Sequence, residues 1–212
     1  MNIFKSPVKQ LIERKDYTGL NSLLAENPNL ANEGITIPYD FLCKVKAHPL
    51  HRICDGVFAK KITDNEAVEL AKIFIKNGAN IDGDKAKGEG TPLLAAASLH
   101  AEVTGIFFID NGADVNYVYK GDGASALHWA AFCGRDLLVD RLIKANAVID
   151  LKDNTYNSTP LGWAIHALTT EDKANAHNQE SCIKLLLQAG ADIEKLSKEA
   201  NEVFKSISRK GF

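Results

Sequence analysis

The 212-residue sequence predicts an all-α-dominated repeat solenoid, one domain over residues 1–212, made of helix–turn–helix units joined by short hairpins. Two recurring markers predict it. Helix-stop residues Gly78, Gly112, Asn146 and Gly190 follow one another at steps of 34, 34 and 44. Start motifs HPLH (48–51), TPLL (91–94), SALH (125–128) and TPLG (159–162) recur at steps of 43, 34 and 34. Independent markers that share a period of this size are the signature of a repeat architecture.

The order of residues within a unit accounts for each element. Thr91, Ser125 and Thr159 are hydroxyl residues suited to cap a helix start, and Pro92 and Pro160 suit its first turn. Small residues follow, Ala95-Ala96-Ala97 and Ala130-Ala131, which let two helices approach closely. A second apolar helix comes next, as in Leu137-Leu138-Val139 with Leu142-Ile143. A glycine, or Asn146, then supplies the left-handed residue that ends it. Thirteen residues separate each stop from the next start in the internal joints, enough for a short extended hairpin.

With these residues on view, the sequence resembles the ankyrin repeat family. The resemblance is carried by ALHWAAFCG (126–134), TPLLAAA (91–97), HPLH (48–51), NGADVN (111–116) and AGADIE (189–194). It implies units of a β-hairpin finger and two antiparallel helices, stacked into a curved solenoid. It further implies that His51 and His128 hydrogen-bond backbone groups of the neighbouring hairpin.

Five units are expected: a degenerate one at 7–33, then 48–82, 91–116, 125–150 and 159–194. A C-terminal cap at 195–210 follows, with Leu196, Ala200, Val203, Phe204 and Ile207 on one helical face. Units two and five are long: 29 residues separate Pro49 from Gly78 and 30 separate Pro160 from Gly190, against 20 in the middle units. The extra residues are expected as insertions between helices, near 55–65 and 168–179, where a repeat protein often places a binding loop.

Composition narrows the functions. With 25 basic against 27 acidic residues, the net charge of −2 gives no electrostatic case for nucleic acid. No apolar run reaches the roughly 18 residues of a membrane span. The four cysteines show no C-x-x-C spacing, so free thiols in the cytoplasm are expected.

Catalytic and metal patterns occur only in fragments. His48, His51 and Cys54 would spread over about 120° of a helix, wide for one coordination shell. Residues 83–89 (GDKAKGE) lack the lysine that a phosphate loop needs after its second glycine. His100 and Glu102 share the H-x-E spacing of zinc deaminases without a following P-C-x-x-C. Cys133 and His166 fall at similar positions of adjacent units, as the repeat alone would place them. No catalytic residue, metal or cofactor is expected, and a metal or thiol enzyme is the disfavoured alternative.

Aromatic residues point elsewhere. Trp129 and Trp163 share one unit position, and Phe132 and His166 stand where the ankyrin resemblance places residues facing the concave groove. Tyr119 and Tyr156 lie on hairpins at its edge. Leu99, Tyr119, Phe132, Tyr156, Trp163 and His166 are therefore the expected contacts for a partner protein. The expected function is a non-catalytic protein-interaction module or scaffold, monomeric when free. The alternative is an immunity or inhibitor protein of bacterial type that neutralises a cognate toxin or effector, motivated by the lack of any attached domain.

Overall fold

The computed structural model describes residues 6–40, 42, 44–84, 89–170 and 178–208. Its main-chain contacts group the chain into two compact units, residues 1–113 and 114–212. The first holds α1 (Pro7–Glu13), α2 (Tyr17–Glu26), α3 (Pro49–Phe58), α4 (Asp64–Lys76), α5 (Pro92–Ser98) and α6 (Glu102–Asp110). The second holds α7 (Ala126–Phe132), α8 (Asp136–Lys144), α9 (Pro160–Thr170), α10 (Gln179–Gln188) and α11 (Lys198–Ser208).

Within each unit, like helices pack on like. In the first unit α3 packs on α5, and α2 and α6 pack on α4. In the second, α7 packs on α9, α8 on α10, and α11 on α9. The small residues make the close approach possible: Ala96, Ala97, Ala130, Ala131, Ala164 and Ala167 are completely buried. Cys54 takes the same place in α3, buried, with its thiol donating to the Leu50 carbonyl at 3.4 Å. Burial pushes that thiol well above its ordinary pKa, so it is a packing group.

The helix starts carry the chemistry their residues imply. Thr91 Oγ1 accepts from Leu94 N and Thr159 Oγ1 accepts from Gly162 N, both at 3.3 Å. Ser125 and His128 form a reciprocal box, with Ser125 N donating to His128 Nδ1 at 3.1 Å. The stops hold as well. Gly78, Gly112, Asn146 and Gly190 have φ of +87°, +88°, +61° and +92°. In each case the next amide bonds a carbonyl five residues back, for example Ala113 N to Phe108 O at 3.0 Å. A Cβ at Gly112 would meet nothing within 4 Å, so a Gly112→Ala change tests backbone conformation alone. It is expected to lower stability by about 1 kcal/mol, read by urea unfolding.

Three expectations are revised. The extra residues of unit two do not form an insertion loop. They lengthen α3 to ten residues and α4 to thirteen, against seven and nine in α5 and α6. The reason is local: a capping box between Thr63 and Glu66 starts α4 early, and Ile62, Ala67 and Leu70 continue the buried face. In unit five, α9 runs on to Thr170 and α10 begins at Gln179, while 171–177 lie outside the described residues.

The fingers, expected as β-hairpins, contain no strand ladder among the described residues; an isolated bridge pairs Ile35 with Ala47. Tyr119 N bonds Ala124 O and Gly123 N bonds Tyr119 O, both at 2.9 Å, and carboxylates complete the turn, Asp122 Oδ1 accepting from Ala124 N at 2.8 Å.

His51 also departs from expectation: its Nδ1 is buried with no hydrogen-bond partner. The position before the proline is His48, which has no hydroxyl for a reciprocal box. His48 N instead donates to Glu89 Oε2 at 3.0 Å, and its Nδ1 accepts from Leu50 N at 3.3 Å. His128 does what the resemblance implies, its Nε2 lying 3.1 Å from the Ser158 carbonyl of the following finger.

Candidate functional site

The site is built around a carboxylate that sequence reasoning missed. Asp153, in the finger before α9, is 2% exposed. Its Oδ1 accepts the backbone N–H of Thr155 at 2.8 Å and of Tyr156 at 2.6 Å. Its Oδ2 accepts Ser158 N and the indole Nε1–H of Trp163, both at 3.0 Å. Burial pushes its pKa up, but these donors outweigh it and hold the carboxyl below its usual range. The finger is thereby tied to α9, and the Trp163 ring is fixed.

Trp163 is the hub of an aromatic cluster. Its ring centroid lies 5.2 Å from Trp129, 5.9 Å from Phe132, 6.1 Å from Tyr156 and 5.3 Å from His128. Every pair packs edge to face, the arrangement that aromatic quadrupoles prefer. Burial falls outward from the hub. Trp163 is 8% exposed, Trp129 and Phe132 are half-buried, and Tyr156 is 71% exposed.

A cleft of about 420 Å³ opens on this cluster. One wall is Trp129, Phe132, Tyr156, Trp163 and the exposed His166. The other is α11, through Glu199, Ala200 and Val203. The cap helix does not seal α9: Leu196, Ala200, Val203 and Phe204 are all only half-buried. The side chain of Ile207, expected on the same face, lies outside the described residues.

Four of the six expected contact residues, Phe132, Tyr156, Trp163 and His166, therefore line one cleft. Tyr119 does not line it; its ring lies over Gly121 of its own finger, where a Cβ would come within 2.6 Å of it. Leu99 belongs to the first unit, half-buried as the C-cap of α5. Trp129 and the α11 residues join the site. The shared unit position of the two tryptophans and the apolar stripe of the cap were the available signals. For Asp153 the signal was an aspartate opening a DNTYNS finger (153–158), a composition that favours side-chain-bonded turns.

The residues of the disfavoured chemistries have structural places. His48 and Glu89 cap α3, Cys133 is the buried C-cap of α7, and His100 packs edge to face on Phe58 at 5.8 Å. No three His, Cys, Asp or Glu among the described residues are grouped to hold a metal ion. No described helix is long and apolar enough to cross a membrane.

Comparison with known proteins agrees with this architecture. A family model described as ankyrin repeats (3 copies) matches residues 57–153 and 106–197. Ankyrin repeat and SOCS box protein 6 of Homo sapiens is 25% identical over 152 residues, which cover 57% of this chain and 36% of that protein. Palmitoyltransferase ZDHHC13 of Homo sapiens is 35% identical over 113 residues, 49% of this chain and 16% of that protein. The chain thus spans about a third, or less, of the length of these curated relatives. The human ASB11 ankyrin repeat domain superposes with a TM-score of 0.63 and 22% identity, covering 98% of this chain and 85% of that one. At that identity the likeness concerns the fold alone.

Proposed function

We propose, from the premise that this chain belongs to the ankyrin repeat family, that it is a protein-interaction module whose docking face is the aromatic cleft of the second unit. Ankyrin repeats are generally protein-binding and typically non-catalytic. The observation that carries the reading is the graded exposure of Trp163, Phe132 and Tyr156 around a hydrogen-bonded hub. Binding hot spots combine aromatic anchors with a fixed, desolvated centre. Here Asp153 and the edge-to-face contacts fix the rings before any partner arrives, so little conformational entropy is lost on docking. The partner is another protein, the module acts as a scaffold, and the chain is monomeric when free. Cysteines buried in the helical packing, Cys54, Cys133 and Cys182, suit a cytoplasmic setting.

Capture of partners with wild type and with a Phe132→Ala, Tyr156→Ala double variant tests this. Both side chains reach the surface, so the variant should keep its fold by circular dichroism while partner recovery falls at least about tenfold. Recovery of the same partner at equal strength would overturn the docking face.

A further inference from the structure

The chemistry of the cleft is selective. Its rings meet at 73–81°: 80° for Trp129 on Trp163, 77° for Phe132 on Trp163, 73° for Tyr156 on Trp163 and 81° for Trp129 on Phe132. Trp129 and Phe132 are half-buried and Tyr156 is exposed, so part of their ring surface lines the space. Across from them α11 supplies the methyl groups of Ala200 and Val203 and the carboxylate of Glu199. Among the described residues, no lysine or arginine lines the cleft. Glu199 is ionised at neutral pH: its own backbone N–H and the Ser197 hydroxyl hold its carboxyl below the usual range, and Lys198 adds to the effect.

We propose that the cleft receives the side chain of an arginine presented by the partner protein. The proposal rests on the docking face described above and names what that face selects. Aromatic faces and a carboxylate attract a cation. A purely apolar side chain would fill the space but strip water from Glu199 without pairing it. Between the two basic side chains the geometry favours arginine. A planar guanidinium is weakly hydrated, stacks on a ring face, and keeps N–H groups at its edge for a carboxylate. An ammonium is a strongly hydrated point charge and can satisfy one wall at a time. The volume of about 420 Å³ accommodates the arginine stem along Val203 and Ala200 as well as its head.

The chain has two tryptophans, Trp129 and Trp163, and both line the cleft, so intrinsic fluorescence reports on this site directly. The probe is an acetylated, amidated Gly-Leu-Arg-Leu-Gly peptide, titrated beside forms with citrulline, lysine or norleucine in place of arginine. Citrulline keeps the shape and removes the charge. The arginine form is expected to bind at least about fivefold tighter than the citrulline form, with lysine between them. Glu199→Gln, an exposed change, should shrink that preference below about twofold. Equal or tighter binding of citrulline or norleucine, or no response to any peptide, would overturn the arginine assignment. A norleucine preference together with partner capture that still depends on Phe132 and Tyr156 would leave the docking face standing. Loss of that dependence would bring down both.

Discussion

Asp153→Ala is expected to lower stability by about 3 kcal/mol and to disorder the finger before α9. Three backbone N–H groups and the Trp163 indole lose their acceptor together. Trp163 Nε1 sits in a nearly buried ring, so its lost bond is not simply replaced by one to water. Asp153→Asn should cost somewhat less, about 2 kcal/mol, because one acceptor oxygen survives while the amide NH₂ faces donors. Both variants should also shift the tryptophan fluorescence, since the hub ring loses its anchor. A loss under about 1 kcal/mol with an unchanged spectrum would show that the finger does not depend on this carboxylate.

The same group sets part of the acid sensitivity. Its folded pKa lies below that of the unfolded carboxyl, so the native state binds fewer protons there. Its contribution is complete above an unfolded pKa of about 3.9 and is lost as pH falls through the folded value. His128 acts in a higher window. Burial is the largest influence on its ring and lowers its pKa; the Ser158 carbonyl offsets that only in part. Its contribution is complete above about pH 6.5 and is lost as pH falls toward the folded value. A plot of melting temperature against pH should therefore decline in two stages. Asp153→Asn should shrink the lower stage, to which Glu66 and Glu199 also contribute, and leave the upper.

The markers visible in the sequence were those where one residue type does one conformational task. Glycine at 78, 112 and 190 supplies φ near +90° in three repeats, so the period could be read directly. The first four repeats have a second left-handed stop, at the end of their first helix, that no marker reveals. It falls at Lys15, Lys60, His100 and Gly134, with φ between +55° and +64°. The hydrogen bond is the same one: Ala101 N to Ala96 O and Arg135 N to Ala130 O, both at 2.9 Å. Tertiary packing imposes that conformation on whatever residue is present, so composition does not record it.

The same holds for the link between repeats. Asn32 accepts from Asn80 N at 2.7 Å and donates to Gly78 O at 2.9 Å, and Asn116 bonds Val148 N at 2.8 Å and Asn146 O at 3.2 Å. The polar residue three places beyond each stop alanine, as at Asp82, Asn116 and Asp150, repeats visibly, but only its long-range partners reveal its purpose. The candidate site divides along the same line. Its aromatic wall was legible from the shared unit position of Trp129 and Trp163. Its other wall was not, because an amphipathic cap could equally have sealed α9.

Arg52→Met is expected to cost about 3 kcal/mol, and its effect should be concentrated in the long joint at 34–47. Arg52 is a buried cation with three tasks. Its Nη1 pairs with Asp55 Oδ2 at 2.8 Å, its Nη2 donates to Val45 O at 3.0 Å, and its Nε reaches Ile35 O at 3.4 Å. Ile35 and Ala47 are bridged by reciprocal backbone bonds of 2.9 and 3.0 Å, so the guanidinium clamps a closed loop by both ends. The middle of that loop is held separately. Lys9 Nζ donates to Thr36 Oγ1 and the Asp40 carbonyl, and the Tyr39 hydroxyl donates to Ile12 O. Methionine fills much of the arginine volume but leaves Asp55, whose side chain is 16% exposed, without its counter-ion. Hydrogen exchange at the Ile35 and Ala47 amides should accelerate more than global stability alone requires. The double change Arg52→Met, Asp55→Leu should recover at least half of the loss, because an apolar pair removes the uncompensated charge. If the single variant costs less than about 0.5 kcal/mol, or the double variant is the worse of the two, then the pair is a surface contact rather than the clamp of the joint.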